Sequence, residues 1–177
     1  PVMGVPIMHQ LEVPYGLPSP IGRYALIAAR HMHQYGTTRA QLAEIAVAAR
    51  LWAQKNPKAW SRDPLTIEDC LNARPISEPL HRNDICLVTD GGGACIVTTA
   101  ERARDAAKKP IRILGAAESH THWHISQMPD LTVSAAAKSG PEAFAMAGIK
   151  PSDVDILQPY DSFTITVLLA LEDLGFC

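Results

Sequence analysis

The sequence predicts a layered α/β fold, because short runs rich in β-branched residues alternate with segments of helical periodicity. The chain has 177 residues, of which 47% are hydrophobic and 19% charged, a balance typical of a chain that folds around a core. Sixteen Lys and Arg against eighteen Asp and Glu give a formal charge of −2. This charge argues against nucleic acid or an anionic membrane as the partner.

The cysteines indicate the cellular compartment of the protein, and the chain ends indicate whether the sequence is part of a longer one. Cys70, Cys86, Cys95 and Cys177 match neither a disulfide scaffold nor a paired zinc motif, so we expect a reducing, cytoplasmic location. The first three are expected in the core. No apolar run approaches the roughly 20 residues of a membrane-spanning helix. The start at Pro1 and the end at Cys177 suggest an internal segment.

Helices are predicted from periodicity, caps and stops. Five prolines within residues 1–20 argue against regular structure there. Composition predicts helices near 22–34 and 66–72, and the Thr38/Gln41 spacing predicts a capping box for a helix to about Lys55. The remaining helices are expected at 100–108, 135–147 and 164–174. Residues 139–142 are expected either to kink the alanine-rich helix at 135–147 or to restart it under a serine cap.

Strands are predicted where β-branched residues cluster in short runs. The segments are 84–90, 94–98, 111–115 and 154–157. Gly91, Gly92 and Gly93 separate the first two. These glycines lack the lysine of a P-loop and the spacing of a dinucleotide-binding loop, so close packing between strands is favoured over a phosphate cradle.

A polar turn between the last predicted strand and the last helix is the most informative candidate site. The backbone N–H groups at a helix start can stabilise developing negative charge. Here Tyr160 offers a phenolic donor, Asp161 a carboxylate that can orient it, and Ser162 a hydroxyl that caps the helix or faces a ligand. On spacing alone, a purely structural interpretation is favoured: Asp161 and Ser162 cap the helix and Tyr160 is half buried.

A histidine-rich segment is the second candidate. His120, His122 and His124 share one face if the segment is extended. Metal binding is the weakest of three interpretations, because no other ligand lies nearby in the sequence; pocket lining is stronger, and plain surface strongest. We predict no metal site.

Four blocks, in this order, resemble the thiolase superfamily, in the branch related to sterol carrier protein. They are RHMHQYGTTRAQLA at 30–43, TDGGGA at 89–94, AGIKPSDVD at 147–155 and YDSF at 160–163. The resemblance implies two similar halves packed as a five-layer α-β-α-β-α fold, usually dimeric, of which this chain is the central part. Residues 1–109 would then end the N-terminal domain with its excursion loops, and residues 110–177 would begin the C-terminal domain.

The resemblance also implies chemistry on coenzyme A thioesters, with no covalently bound cofactor. The family's nucleophilic cysteine and its Gly-His-Pro motif are absent here, so this segment alone is expected to be inactive. Tyr160 stands where relatives carry Asn or His in the oxyanion hole. Phe163 would pack near the pantetheine arm, and Met128 is a weaker pocket candidate.

Three functions follow from this resemblance. The first is an acyl-CoA acyltransferase acting on lipid- or steroid-derived chains. The second is a retro-aldol lyase of β-hydroxyacyl-CoA, in which a tyrosine transfers protons and a small partner with an oligonucleotide-binding-type fold is required. The third is a non-catalytic subunit that binds acyl-CoA or lipid. We expect a homodimer in each case.

Overall fold

Packed helices form the centre of the molecule. The computed structural model describes residues 6–17 and 20–177. Its helices are α1 (Pro6–Leu11), α2 (Pro20–Tyr35), α3 (Arg39–Gln54), α4 (Ile67–Leu71), α5 (Ala100–Ala103), α6 (Ala136–Ala147) and α7 (Thr164–Asp173). Strands β1 (Pro75–Ser77) and β2 (Leu80–His81) pair antiparallel with an irregular register. Short 3-10 turns lie at Val13–Tyr15, Arg82–Asp84, Ile125–Gln127 and Pro151–Asp153.

The core lies where α7 meets α2 and α3. It is built from apolar side chains of these helices together with Leu80 of β2. The fully or nearly buried members are Ala25, Ile27, Ala28, Leu42, Leu80, Phe163, Ile165 and Leu169. Because α7 supplies Ile165 and Leu169, and its N-cap residue Phe163 is also a core residue, the start of this helix is fixed in space, and the preceding segment is fixed with it.

The helix predictions at 22–34, 38–55, 66–72, 135–147 and 164–174 are confirmed, with small changes at the ends. Thr38 caps α3 in the predicted box: its hydroxyl oxygen accepts the Gln41 N–H, and its own N–H donates to Gln41 Oε1 at 2.7 Å. α6 continues through Pro141 without a restart. Gly140 allows this helix to lie against Leu174, since a Cβ there would come within 2.5 Å of the leucine side chain.

Two other predictions, for residues 1–20 and for residues 100–108, are wrong. Residues 6–11 form a helix and residues 13–15 a 3-10 turn, because Pro14 occupies a first-turn position where no N–H is needed. Residues 1–5 and 18–19 of that prediction lie outside the described residues. The helix expected at 100–108 is the single turn α5.

The four predicted strands are not formed in the described ranges. Residues 84–90 contribute one isolated bridge, between Ile85 and Phe163, and the segments 94–98, 111–115 and 154–157 contribute none. A strand needs a hydrogen-bonded neighbour along its length, and apart from the contacts of residues 85 and 86 with the turn before α7, these extended segments have none in the described ranges. Their apolar side chains are therefore exposed, Val88 and Ile96 almost completely.

The same lack of a neighbouring strand corrects two smaller predictions. A Cβ built at Gly91, Gly92 or Gly93 meets nothing within 4 Å, so these glycines do not serve close strand packing here. Cys70 is buried as predicted, and its burial raises the pKa of its thiol. Cys86 and Cys95, which were expected in the core, are exposed.

Candidate active site

The polar turn at residues 160–163 is held against an extended segment from the first half of the chain. Ile85 and Phe163 form an antiparallel bridge, and the Cys86 N–H donates to the Ser162 carbonyl at 3.1 Å. The turn therefore has a defined backbone on both sides, because α7 begins immediately after it.

A buried carboxylate fixes the start of α7. The Thr164 hydroxyl donates to Asp84 Oδ1 at 2.9 Å, and the His81 N–H donates to Asp84 Oδ2 at 2.8 Å. Asp84 and Thr164 are both buried. The polar side chain that fixes the helix start thus comes from a residue 80 positions away in the chain.

The cap of α7 differs from the predicted one. Phe163, not Asp161 or Ser162, occupies the N-cap position, and its N–H donates to Thr166 Oγ1 at 3.2 Å. The Thr166 hydroxyl in turn donates to the Phe163 carbonyl at 2.6 Å, and Ser162 Oγ lies 3.3 Å from Thr166 Oγ1. Sequence reasoning missed Thr166, since its role depends on the backbone path of the turn.

A cavity of about 460 Å³ opens beside this turn. Its wall is mostly apolar, with a few polar groups from four segments of the chain. The lining residues that matter below are Arg23, Tyr24, His124, Met128, Tyr160 and Ser162. A largely apolar cavity with a few converging polar groups is the usual form of a small-molecule site.

The structure brings together three of the five predicted site residues. Tyr160, Ser162 and Met128 all line the cavity. Tyr160 is 79% exposed, not half buried as the structural interpretation predicted, so its hydroxyl is available to a ligand. Ser162 also lines the cavity, and it does not cap α7, because Phe163 occupies the N-cap position.

Asp161 and Phe163 lie elsewhere. Asp161 lines a second groove, which Tyr160, Cys86 and Thr164 also line. Within the described residues Asp161 makes no side-chain hydrogen bond to Tyr160. Phe163 is only 5% exposed and stacks on Tyr24 with ring centroids 4.3 Å apart. It supports the cavity from behind through Tyr24.

The loop that carries His124 and Met128 is anchored by the buried carboxylate of Glu12, which also forms an ion pair with Arg23. Glu12 Oε2 lies 2.8 Å from Arg23 Nε, and Glu12 Oε1 accepts both the N–H and the hydroxyl of Ser126, at 3.3 and 3.2 Å. Glu12 is almost fully buried. Because Arg23 lines the cavity, Glu12 also neutralises a guanidinium on that wall.

The far end of this loop is fixed by a local turn. Asp130 Oδ1 accepts the N–H of Thr132 at 2.8 Å and its hydroxyl at 2.7 Å. These two bonds lower the pKa of Asp130. Nothing in the sequence pattern pointed to Glu12 and Ser126, because 114 positions separate them.

The histidine segment does not form a metal site in the described part of the chain, where no three His, Cys, Asp or Glu side chains converge. His124 is buried and lines the cavity, His122 lines it with Nδ1 2.8 Å from the Thr121 hydroxyl, and His120 is exposed. Pocket lining was thus the better interpretation for two of the three.

Within the described residues, 6–17 and 20–177, no helix is both long enough and apolar enough to cross a bilayer.

Comparisons with known proteins identify the class of fold and then the family. Residues 117–177 match the family described as Thiolase C-terminal domain-like. The solved structure of the Ltp2-ChsH2(DUF35) aldolase superposes on this chain with a TM-score of 0.86 and 39% identity, covering 93% of this chain and 45% of that one. The fold is therefore α/β and thiolase-like.

Relatives of known function agree with this match. A steroid side-chain-cleaving aldolase of Thermomonospora curvata is 40% identical over 176 residues, which cover 93% of this chain and 44% of that protein. The 17-hydroxy-3-oxo-4-pregnene-20-carboxyl-CoA lyase of Mycobacterium tuberculosis is 38% identical over 180 residues, covering 96% and 45%. Acetyl-CoA acetyltransferases and sterol carrier protein 2 are also similar. The chain belongs to the thiolase superfamily, in the branch related to sterol carrier protein, and spans under half the length of these relatives.

Proposed function

We propose that this chain is part of an enzyme that cleaves β-hydroxyacyl-CoA esters by a retro-aldol reaction, with a steroid-derived acyl chain as the substrate class. The observation that carries the proposal is the exposed phenol of Tyr160 at the mouth of a largely apolar cavity. Two relatives at 38–40% identity are named as an aldolase and a lyase, which favours this function over the acyl transfer that the sequence alone put first.

The reaction needs only proton transfer. The β-hydroxyl loses its proton, the bond between the α and β carbons breaks, and the β carbon becomes a carbonyl. The electron pair moves to the α carbon as a thioester enolate, which takes up a proton. Atoms balance without an oxidant, a reductant or a covalent intermediate.

The residues of the turn and cavity fit these steps. The Tyr160 hydroxyl can both accept and donate a proton, and it would act in the transfer at the substrate oxygen or the α carbon. Ser162, on the same wall, would hydrogen-bond a substrate oxygen. Phe163 and Met128 would support the apolar arm of the substrate, Phe163 indirectly through Tyr24. Asp161, which lines the second groove, would act on the reaction only through its charge.

A partner subunit is part of the proposal. The solved aldolase that resembles this chain is named for two components, Ltp2 and ChsH2(DUF35). We infer that the intact protein also works with a second, small subunit and as a homodimer. The domain boundary between residues 109 and 110 and the cytoplasmic location stay predictions.

The test is cleavage of 17-hydroxy-3-oxo-4-pregnene-20-carboxyl-CoA by the intact gene product with its partner. Tyr160→Phe should lower turnover by more than about tenfold while the melting temperature stays unchanged, because only a hydroxyl is removed. Tyr15→Phe is the matched control, since Tyr15 is also 79% exposed but does not line the cavity. Equal turnover of wild type and Tyr160→Phe would remove Tyr160 from the mechanism.

Acyl transfer is the competing outcome of the same experiment. Acetyl-CoA acetyltransferases are among the similar proteins, and that chemistry requires an acyl group on a cysteine. Mass spectrometry of the intact protein after incubation with acyl-CoA separates the two. A covalent acyl adduct supports transfer; a ketone and a shortened acyl-CoA without an adduct support the lyase.

A further inference from the structure

We propose that His124 is a second substrate-binding residue, which hydrogen-bonds an oxygen of the acyl chain in the cavity that Tyr160 also lines. His124 is only 6% exposed, and its ring forms part of the cavity wall. Its Nε2 is buried and has no hydrogen-bond partner among the described residues. This inference rests on the proposed function for the identity of the ligand as an acyl-CoA.

A buried nitrogen without a partner is costly, which is why such groups are rare in folded proteins. Two other polar groups of the cavity have a nearby partner of their own: Arg23 Nε lies 2.8 Å from the Glu12 carboxylate in an ion pair, and His122 contacts the Thr121 hydroxyl. His124 is thus a buried wall residue whose Nε2 has neither an ion-pair nor a hydrogen-bond partner among the described residues, in a mostly apolar surrounding. An oxygen on an otherwise apolar ligand is the chemistry that would use it.

The backbone at His124 is fixed, so its ring can act as a preformed contact. Its N–H donates to Gln127 Oε1 at 3.3 Å, and the adjoining Ser126 is bonded to the buried Glu12. The Trp123 ring lies edge-on to the imidazole, with centroids 6.5 Å apart. A half-turn of the ring about its χ2 bond exchanges Nε2 and Cε1, so either edge can meet the ligand without a movement of the loop.

Three variants of the intact protein test the contact. In His124→Leu the buried unpaired nitrogen disappears, so the unliganded protein should melt at the wild-type temperature or above it. Its Kd for the substrate should rise by about tenfold or more, because the ligand oxygen then lacks its partner. His124→Gln places an amide near the Nε2 position and should recover part of the affinity. His120→Leu, an exposed histidine outside the cavity, should change neither quantity.

Binding is measured by calorimetry with two probes. 17-Hydroxy-3-oxo-4-pregnene-20-carboxyl-CoA is the substrate candidate, used with Tyr160→Phe as the background to limit turnover. The analogue without the 17-hydroxyl cannot undergo the cleavage. A larger effect of His124→Leu on the first probe than on the second identifies the β-hydroxyl as the bonded oxygen, and equal effects identify another oxygen of the chain.

The outcomes separate this inference from the proposed lyase function. An unchanged Kd in His124→Leu overturns the contact even if the wild type cleaves the substrate. A lower melting temperature with weaker binding assigns His124 a structural role and also overturns it. Wild-type binding without cleavage, weakened by His124→Leu, overturns the lyase and supports the contact. A wild type that binds neither probe overturns both.

Discussion

Two regions of similar apolar composition behave in opposite ways in this molecule. The helices α2, α3 and α7 each bury one apolar face in a shared core, whereas the extended segments at 87–97 and 111–114 expose their apolar side chains. A helix satisfies its backbone within itself and needs only one covered face. A strand needs a neighbour for its backbone before its side chains can be covered.

The candidate site lies at the border between these two regions. Phe163 pairs with Ile85 at the point where the extended segment leaves the helical core. The turn before α7 is therefore ordered by the helices on one side and by a single bridge on the other. Matched substitutions, one on each side of this border, test how much the two regions differ in their contribution to stability.

The largest difference is expected between a leucine of the core that these helices form and a leucine of the extended region. Leu80 is fully buried and Leu87 is 55% exposed. Leu80→Ala should lower the free energy of unfolding by about 2–5 kcal/mol through lost burial and a cavity. Leu87→Ala should change it by less than about 0.5 kcal/mol. Urea denaturation followed by circular dichroism measures both. Similar costs would show that residue 87 is buried in the folded protein and would break the comparison.

A smaller difference is expected for a pair of threonines. Thr164→Val keeps the side-chain shape but leaves Asp84 Oδ1 without its buried donor, which should cost about 1–3 kcal/mol. Thr98→Val, at an exposed position of the extended region, should stay within about 0.5 kcal/mol. The same denaturation experiment applies. A neutral Thr164→Val would mean that water replaces the hydroxyl and that the border is not sealed.

Local signals sufficed for five of the helices and failed for the contacts that depend on distant residues. The Thr38/Gln41 box and the left-handed glycines at 148 and 175 mark helix ends within a few positions, so their interactions can be seen in the sequence. The strands were also predicted from a local signal, the short runs of β-branched residues. Such a run does not show whether the neighbouring strand that it requires is present.

The candidate site shows the same limit. Tyr160, Ser162 and Met128 were predicted and do line one cavity. Asp84, Glu12 and Thr166, which hold that arrangement in place, were not predicted. Two of them act on residues 80 and 114 positions away, and the third acts through the backbone of the turn.

Helix caps give a third comparison. Thr38→Ala removes the acceptor of the Gln41 N–H at the start of the 16-residue helix α3 and should cost about 1 kcal/mol. Thr99→Ala removes the equivalent cap of the four-residue α5, whose bond to the Arg102 N–H is long at 3.4 Å. Its cost should be a few tenths of a kcal/mol, because α5 adds little to the core. A larger effect at Thr99 than at Thr38 would assign the extended region more cooperative structure than its contacts indicate.

The smallest effect is expected from pH, at the N-terminal box of α4. The Thr66 hydroxyl and the Thr66 N–H donate to Asp69 Oδ2 at 2.6 and 2.9 Å, and these bonds lower the pKa of the Asp69 carboxyl. A folded-state pKa below the unfolded one means that the stabilisation is fully present above the unfolded value and is lost as the pH falls through the folded value. The stability difference between wild type and Asp69→Asn should therefore shrink on acidification.

The control from the extended region is Asp105→Asn, which replaces an exposed acid beyond α5. A difference for Asp69→Asn that is constant with pH would mean that the box depends on the shape of the side chain and not on its charge.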